Sequence, residues 1–246
     1  MRIALLSDVH ANLEALESVL AAIADLPPVD AWWHLGDLVG YGPEPDAVVA
    51  RLAELGAVGV MGNHDAVAAG VAGADWFNPE ARVAIEWTRD RIAPATREWL
   101  AGLPERLVQD EFTLVHGSPR DPIWEYVESD RIAAAGIAAM STRHGLHGHT
   151  HVPAAFRERA EAPGSISGTR PGHGTVVRLD EGRLLLNPGS VGQPRDLDPR
   201  ASFAILDLAE RTATWHRVAY PIERTQEKMR ALGLPRRLVE RLVHGT

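Results

Sequence analysis

Cysteine is absent from the 246 residues. That excludes disulfides, iron–sulfur clusters, thiolate zinc sites and a cysteine nucleophile. No apolar run approaches the roughly 18 residues that a membrane helix requires, so no membrane partner is expected. Residues 1–10 already read as a strand and its end, without a basic n-region or a cleavage site. A signal peptide is therefore not expected, and the reading is a cytoplasmic protein. Lys and Arg form no long run, and 25 basic residues face 33 acidic ones, for a net charge of −8. A nucleic-acid footprint usually needs a basic face, so long nucleic acid is not an expected partner.

What is present describes an ordinary soluble globular chain. Apolar residues make up 45% and charged residues 24%, enough to build a substantial core. The length suits one large domain or two small ones, and the chain is read as one domain over 1–246. Apolar positions at Leu13, Leu16, Val19, Leu20 and Ile23 follow a helical period, with Asn12 as its cap. Short apolar runs at 3–6, 31–35 and 58–61 read as strands alternating with helices, which suggests βαβ units and a mainly parallel core. Residues 79–101 read as helix broken near Pro94, and residues 129–140 and 221–243 also read as helical. Strands are expected at 107–109, 112–115, 152–157 and 175–180. Residues 202–208 and 212–218 resemble a hairpin. Segment 161–174, rich in Gly, Pro and Ser, reads as a mobile surface loop.

Histidine stands out at 11 residues, and the informative ones sit where strands end. Asp8-Val9-His10 follows the first strand, Gly36-Asp37 the second and Gly62-Asn63-His64-Asp65 the third. His116 and His147-Gly148-His149-Thr150-His151 follow later. Ligand sites of open α/β sheets lie at such carboxyl ends. If the strand continued, alternation would point Asp8 with His10, and His149 with His151, to one face. Imidazoles, two carboxylates and an amide without sulfur suit manganese, iron, cobalt, nickel or zinc. Seven ligands exceed the needs of one ion and fit two ions sharing a carboxylate.

These five blocks, in order over residues 8–151, resemble the calcineurin-like metallophosphoesterase superfamily. The later Asn187–Pro194 segment resembles its small bacterial phosphodiesterase-like branch. The resemblance implies a four-layer αββα sandwich of two mixed β-sheets, with the site on one edge. It implies that Asp8, His10 and His151 hold one divalent ion and Asn63, His116 and His149 a second, with Asp37 bridging. It implies that His64 protonates the departing alkoxide and that Asp65 orients His64 by accepting a hydrogen bond. The reaction so implied is phosphoester hydrolysis, first of phosphodiesters, by in-line attack of a hydroxide activated by the two ions. The expected partner is a small phosphoester, nucleotides included, and the oligomeric state is left open.

The alternatives are concrete. The same fold serves phosphomonoesterases and dinucleoside polyphosphate hydrolases. Protein phosphatases of the family carry an Arg in the second block and Glu after the histidine of the third. Here Gly36-Asp37-Leu38-Val39-Gly40-Tyr41-Gly42 and Asp65 depart from that pattern. Some relatives keep the fold as non-catalytic scaffolds after losing ligands, whereas this chain has all seven and His64. Singly, Asp8, Asp37 and Asn63 also suit turns or helix caps, and His116 a core histidine. His34, His144, His147, His173, His216 and His244 match no block and read as structural or surface residues. Tyr41, Trp124 and Tyr126 read as core or rim packing, with stacking on a nucleobase as the alternative. Trp32, Trp33, Trp76, Trp87, Trp99 and Trp215 read as core or helix packing. Asn187–Pro194 suits either a turn between strands or the site rim, with Ser190 and Gly192 near phosphate, and Arg120 and Arg195 read either as phosphate-binding or as solvated surface residues. Substrate-binding residues are otherwise unassigned.

Overall fold

The computed structural model describes residues 1–246. Its first half alternates strand and helix: β1 (Arg2–Leu6), α1 (Leu13–Ala24), β2 (Ala31–His34), α2 (Pro45–Glu54) and β3 (Val58–Gly59). Three helices follow, α3 (Asn63–Ala69), α4 (Pro79–Arg89) and α5 (Pro94–Ala101). The second half holds β4 (Arg106–Gln109), β5 (Phe112–Val115), α6 (Asp130–Ala138), β6 (His144–Leu146), β7 (Ala154–Glu158), β8 (Ile166–Thr169), β9 (Val176–Arg178) and β10 (Leu184–Asn187). Strands β11 (Ala201–Asp207) and β12 (Thr212–Val218), then helices α7 (Ile222–Ala231) and α8 (Arg236–Glu240), complete it.

Two six-stranded sheets result, ordered β3-β2-β1-β11-β12-β9 and β4-β5-β6-β10-β7-β8. Both are mixed. In the first, β1 pairs parallel with β2 and antiparallel with β11. In the second, β6 pairs parallel with both β5 and β10, while β7 runs antiparallel to β10.

Side-chain alternation along β1 explains the layering. Ile3 and Leu5 face the second sheet, in a cluster with Phe112, Leu114, Leu184, Leu186, Leu206 and Trp215. Ala4 and Leu6 face the other way, toward the buried face of α1 at Leu16, Val19, Leu20 and Ile23. On the far side, Leu185 of β10 meets Ile137 of α6. The order is helix, sheet, sheet, helix, the expected αββα sandwich. Asn12 caps α1 by accepting from the Ala15 amide at 3.2 Å, which fixes the exit of the Asp8–Asn12 turn.

Segment 161–174 is not simply a loop. It contains β8, paired antiparallel with β7 from Ala155–Thr169 to Glu158–Ile166. Only Ile166 of that strand is buried, so no alternating apolar signal marks it. The third strand stops at Gly59, because the Met61 amide turns away to the Pro104 carbonyl. Strands β6 and β10 are three and four residues long and wholly buried, too short for a period to show.

Candidate metal centre

The blocks at the strand ends meet at one edge of the sandwich, but not as continued strands. Asp8, His10, Asp37, His149 and His151 all have positive φ, between 49° and 66°. The expected alternation of Asp8 with His10, and of His149 with His151, is therefore replaced by tight left-handed turns. Such backbone costs on the order of 1–2 kcal/mol per non-glycine residue, so other contacts must hold it. Hydrogen bonds between neighbouring turns do so: Asp8 N donates to Gly36 O at 3.1 Å, His10 N to Asp37 O at 3.0 Å and Gly148 N to His116 O at 2.9 Å. Glycine is required where the turns touch, since a Cβ on Gly62 would overlap the Asp37 carboxylate. Strain held in this way clusters at functional sites.

Two buried donor groups form. Asp8, His10, Asp37 and His151 offer ligand atoms within 4.8 Å of one another, and so do Asp37, His116 and His149. Asp37 belongs to both. Asn63 joins the second through Oδ1, 3.1 Å from His116 Nε2. His147 belongs to neither. All seven expected ligands thus converge.

The ring nitrogens test whether a cation fits. His10 Nδ1 donates to Val39 O, His116 Nδ1 to Leu35 O, His151 Nδ1 to Gln193 O and His149 Nε2 to Trp124 O. A carbonyl only accepts, so those nitrogens carry the hydrogens and the opposite ones present lone pairs. His10 Nε2 and His151 Nε2 face each other at 3.0 Å, as do His116 Nε2 and His149 Nδ1. With His10 and His151 neutral, their facing Nε2 atoms oppose lone pairs in a buried pocket beside Asp8 and Asp37. A metal cation between them removes the conflict, and the outward carbonyls are the usual supports of metal-binding imidazoles.

Protonation gives the same answer. Burial pushes His10, His149 and His151 well below the ordinary histidine range, which keeps them neutral and able to ligate. Burial also acts against His116, but Asp37 at 3.3 Å overcomes it and lifts His116 to about 9. A proton on His116 Nε2 then occupies the place a cation would take. Metal loading must expel it. Below pH 9 that proton is bound, so apparent metal affinity is expected to fall about tenfold per pH unit as pH drops from 9 toward 7. Isothermal titration in buffers of different ionisation enthalpy counts the released protons.

The sequence of residues 1–211 matches the calcineurin-like phosphoesterase superfamily domain. The chain belongs to that superfamily. It is 46% identical to a metallophosphoesterase from Sphaerobacter thermophilus, whose crystal structure superposes with a TM-score of 0.90 over 100% of this chain and 99% of that one. An uncharacterized protein of Methanocaldococcus jannaschii is 35% identical over 99% of this chain and 98% of its own. A symmetrical bis(5'-nucleosyl)-tetraphosphatase of Pectobacterium carotovorum is 35% identical over 145 residues. That match covers 56% of this chain and spans 50% of the relative.

Within this calcineurin-like site, three expectations change. Asp65 does not touch the His64 ring. Its Oδ1 accepts from the amides of Leu38 at 2.9 Å and Val39 at 3.2 Å, and its Oδ2 from Gly62 N at 3.0 Å. It sits at the first turn of α3, where a carboxylate ties the helix start to the Asp37 turn. Asp65→Ala would strand three buried amides, each costing about 1–3 kcal/mol. The expected result is a drop in Tm of at least roughly 6 °C, with the pH profile of any remaining activity unchanged.

The Asn187–Pro194 segment is a buttress and not a rim. Ser190 is fully buried. Its hydroxyl donates to Asp8 O at 2.7 Å and accepts from Gln193 N at 2.8 Å. The Asn187 amide donates to Gly148 O at 2.7 Å. The segment thus grips both the Asp8 turn and the His149–His151 turn.

Trp76 is the third change. It packs in no core: it is 86% exposed and lines the mouth of the cavity over the site. Trp33 and Trp215 are buried as expected.

Proposed function

We propose that the protein is a metal-dependent phosphoesterase that hydrolyses phosphodiesters. The observation that carries this reading is the pair of buried donor groups sharing Asp37, with His64 beside them on the wall of a cavity of about 510 Å³. Asp8, His10, Asp37 and His151 would hold one divalent ion, and Asp37, Asn63, His116 and His149 a second. When bound, such ions supply Lewis-acid activation of water and of the phosphoryl group.

The chain's own contribution beyond ligation is proton delivery by His64. Its ring lies 4.9 Å from that of His10 and 4.6 Å from that of Phe77. Its Nδ1 is buried without a partner against Gly40. Gly40 has φ +84°, and a Cβ there would overlap the imidazole. Nε2 is therefore the nitrogen left for the cavity and the departing oxygen. Burial pulls His64 down to about 4, with Asp37 opposing. An anionic substrate in the cavity also opposes that fall and favours the imidazolium that donates. Backbone placement is firm, because His64 N donates to Asp37 Oδ1 at 2.9 Å.

The test strips the protein of metal and restores manganese, nickel, cobalt, iron or zinc singly. Turnover of bis-p-nitrophenyl phosphate exceeding that of p-nitrophenyl phosphate supports the reading. Monoester turnover alone corrects the substrate class, and no turnover with any metal overturns the enzyme. The similarity to the Pectobacterium tetraphosphatase favours a second reading, hydrolysis of dinucleoside tetraphosphates, which the same assay tests by nucleotide release.

A further inference from the structure

The lining of the cavity above the donor groups combines one guanidinium with several aromatic side chains, and His64 touches Tyr41 and Phe77. The guanidinium is that of Arg195. It makes no ion pair with any carboxylate, unlike Arg120, which is tied to Glu125. Arg195 donates from Nη2 to Gln193 Oε1 at 2.8 Å, its Nε is buried without a partner, and its guanidinium lies 5.7 Å over the Tyr41 ring. Tyr41 in turn lies 4.4 Å from His64. A guanidinium that lines a cavity and that no carboxylate neutralises is suited to a phosphate oxygen.

The aromatic part of the lining starts at His64. Phe77 meets the His64 ring at 4.6 Å and Trp124 edge-on at 6.2 Å. Tyr126 stacks on the His149 ring at 3.8 Å, and the Trp124 carbonyl anchors that ring. Trp76 is exposed and lines the same cavity. The rim is not purely apolar. Asp121 spends Oδ1 on the amides of Ile123 and Trp124, and no hydrogen bond engages its Oδ2. An aromatic wall with a free polar edge suits a flat, heteroatom-rich ring better than an alkyl chain.

We infer that this cavity selects phosphoesters bearing a nucleobase, with the base against Trp76, Trp124 and Tyr126 and a phosphate oxygen on Arg195. The inference rests on the phosphoesterase reading of the metal centre and names its substrate class. Stacking on such a wall is worth about tenfold in affinity per base.

The test titrates the manganese-loaded protein with AMP and with ribose 5-phosphate, following tryptophan fluorescence and, in parallel, calorimetry. AMP is expected to quench and to bind about tenfold tighter than ribose 5-phosphate, which shares its phosphate but lacks the base. Trp76→Ala, at an exposed position that folding does not need, should erase that difference. Arg195→Gln should weaken both ligands about equally, and Arg195→Lys should restore part of the loss. Equal binding of the two ligands, or a preference for AMP that survives Trp76→Ala, overturns the inference. Bis-p-nitrophenyl phosphate turnover in the same preparations separates the two readings. Turnover without base preference sinks only the nucleobase. Base preference without turnover upholds it and sinks the phosphoesterase.

Discussion

Asp37→Ala is expected to bring metal-dependent turnover down to background, the largest effect of any single change in the chain. Asp37 is the one side chain common to both donor groups. Its Oδ2 lies 3.6 Å from His10 Nε2 and 3.3 Å from His116 Nε2, and its Oδ1 accepts from His64 N. Loss of it is therefore expected to weaken both candidate cation sites and to untie the backbone of His64, the proposed proton donor. Residues that merely support a metal ligand typically cost 10–100-fold in affinity when changed, and a ligand shared by two sites should cost at least about a hundredfold at each. Asp37→Asn is the companion variant. It keeps the volume and an oxygen for His64 N but not the charge, so it should lose metal nearly as fully while staying closer to wild type in metal-free stability. Calorimetric metal titration alongside steady-state assays separates binding from turnover. Full activity in Asp37→Ala would contradict the shared-ligand assignment.

His64→Ala should come next, with a loss that depends on the leaving group. His64 belongs to neither donor group, so metal content should hold at wild-type level. General acid catalysis contributes about 10²–10⁴-fold. An alkyl ester, whose alkoxide needs a proton, should lose about that much. A nitrophenyl ester, whose leaving group needs none, should lose less than about tenfold by the same reasoning. Equal losses on both would remove His64 from the proton-donor role and leave it as a packing residue between Tyr41 and Phe77.

Much of this site is legible in the sequence because ligand chemistry is local. Asp8, His10, Asp37, Asn63, His116, His149 and His151 sit in short blocks at strand ends, and all seven converge. The reason for the convergence is less legible. Asp8-x-His10 suggests strand alternation, whereas positive φ in five of the ligands sets the geometry, and no side-chain pattern announces it. The role of Asp65 is hidden for another reason. Its partners are backbone amides of Leu38, Val39 and Gly62, which carry no residue signature. The supporting roles of Ser190 and Gln193 are hidden likewise, since Ser190 acts on the carbonyl of Asp8 and Gln193 through its own carbonyl on His151 Nδ1. Trp76 reads as packing by its apolar type, and only its exposed placement in the cavity lining reverses that. In the fold, long amphipathic helices such as α1 are readable from periodicity, while β6, β8 and β10 depend on neighbours distant in the chain.

The measurement closest to the centre of all this counts metal ions. Equilibrium dialysis of the stripped protein against manganese, followed by elemental analysis, gives the ions bound per chain as activity returns. Two ions per chain in the wild type, with turnover rising as both sites fill, is the expected result. Full turnover with one ion per chain, or with none, would contradict a centre built from two donor groups around Asp37.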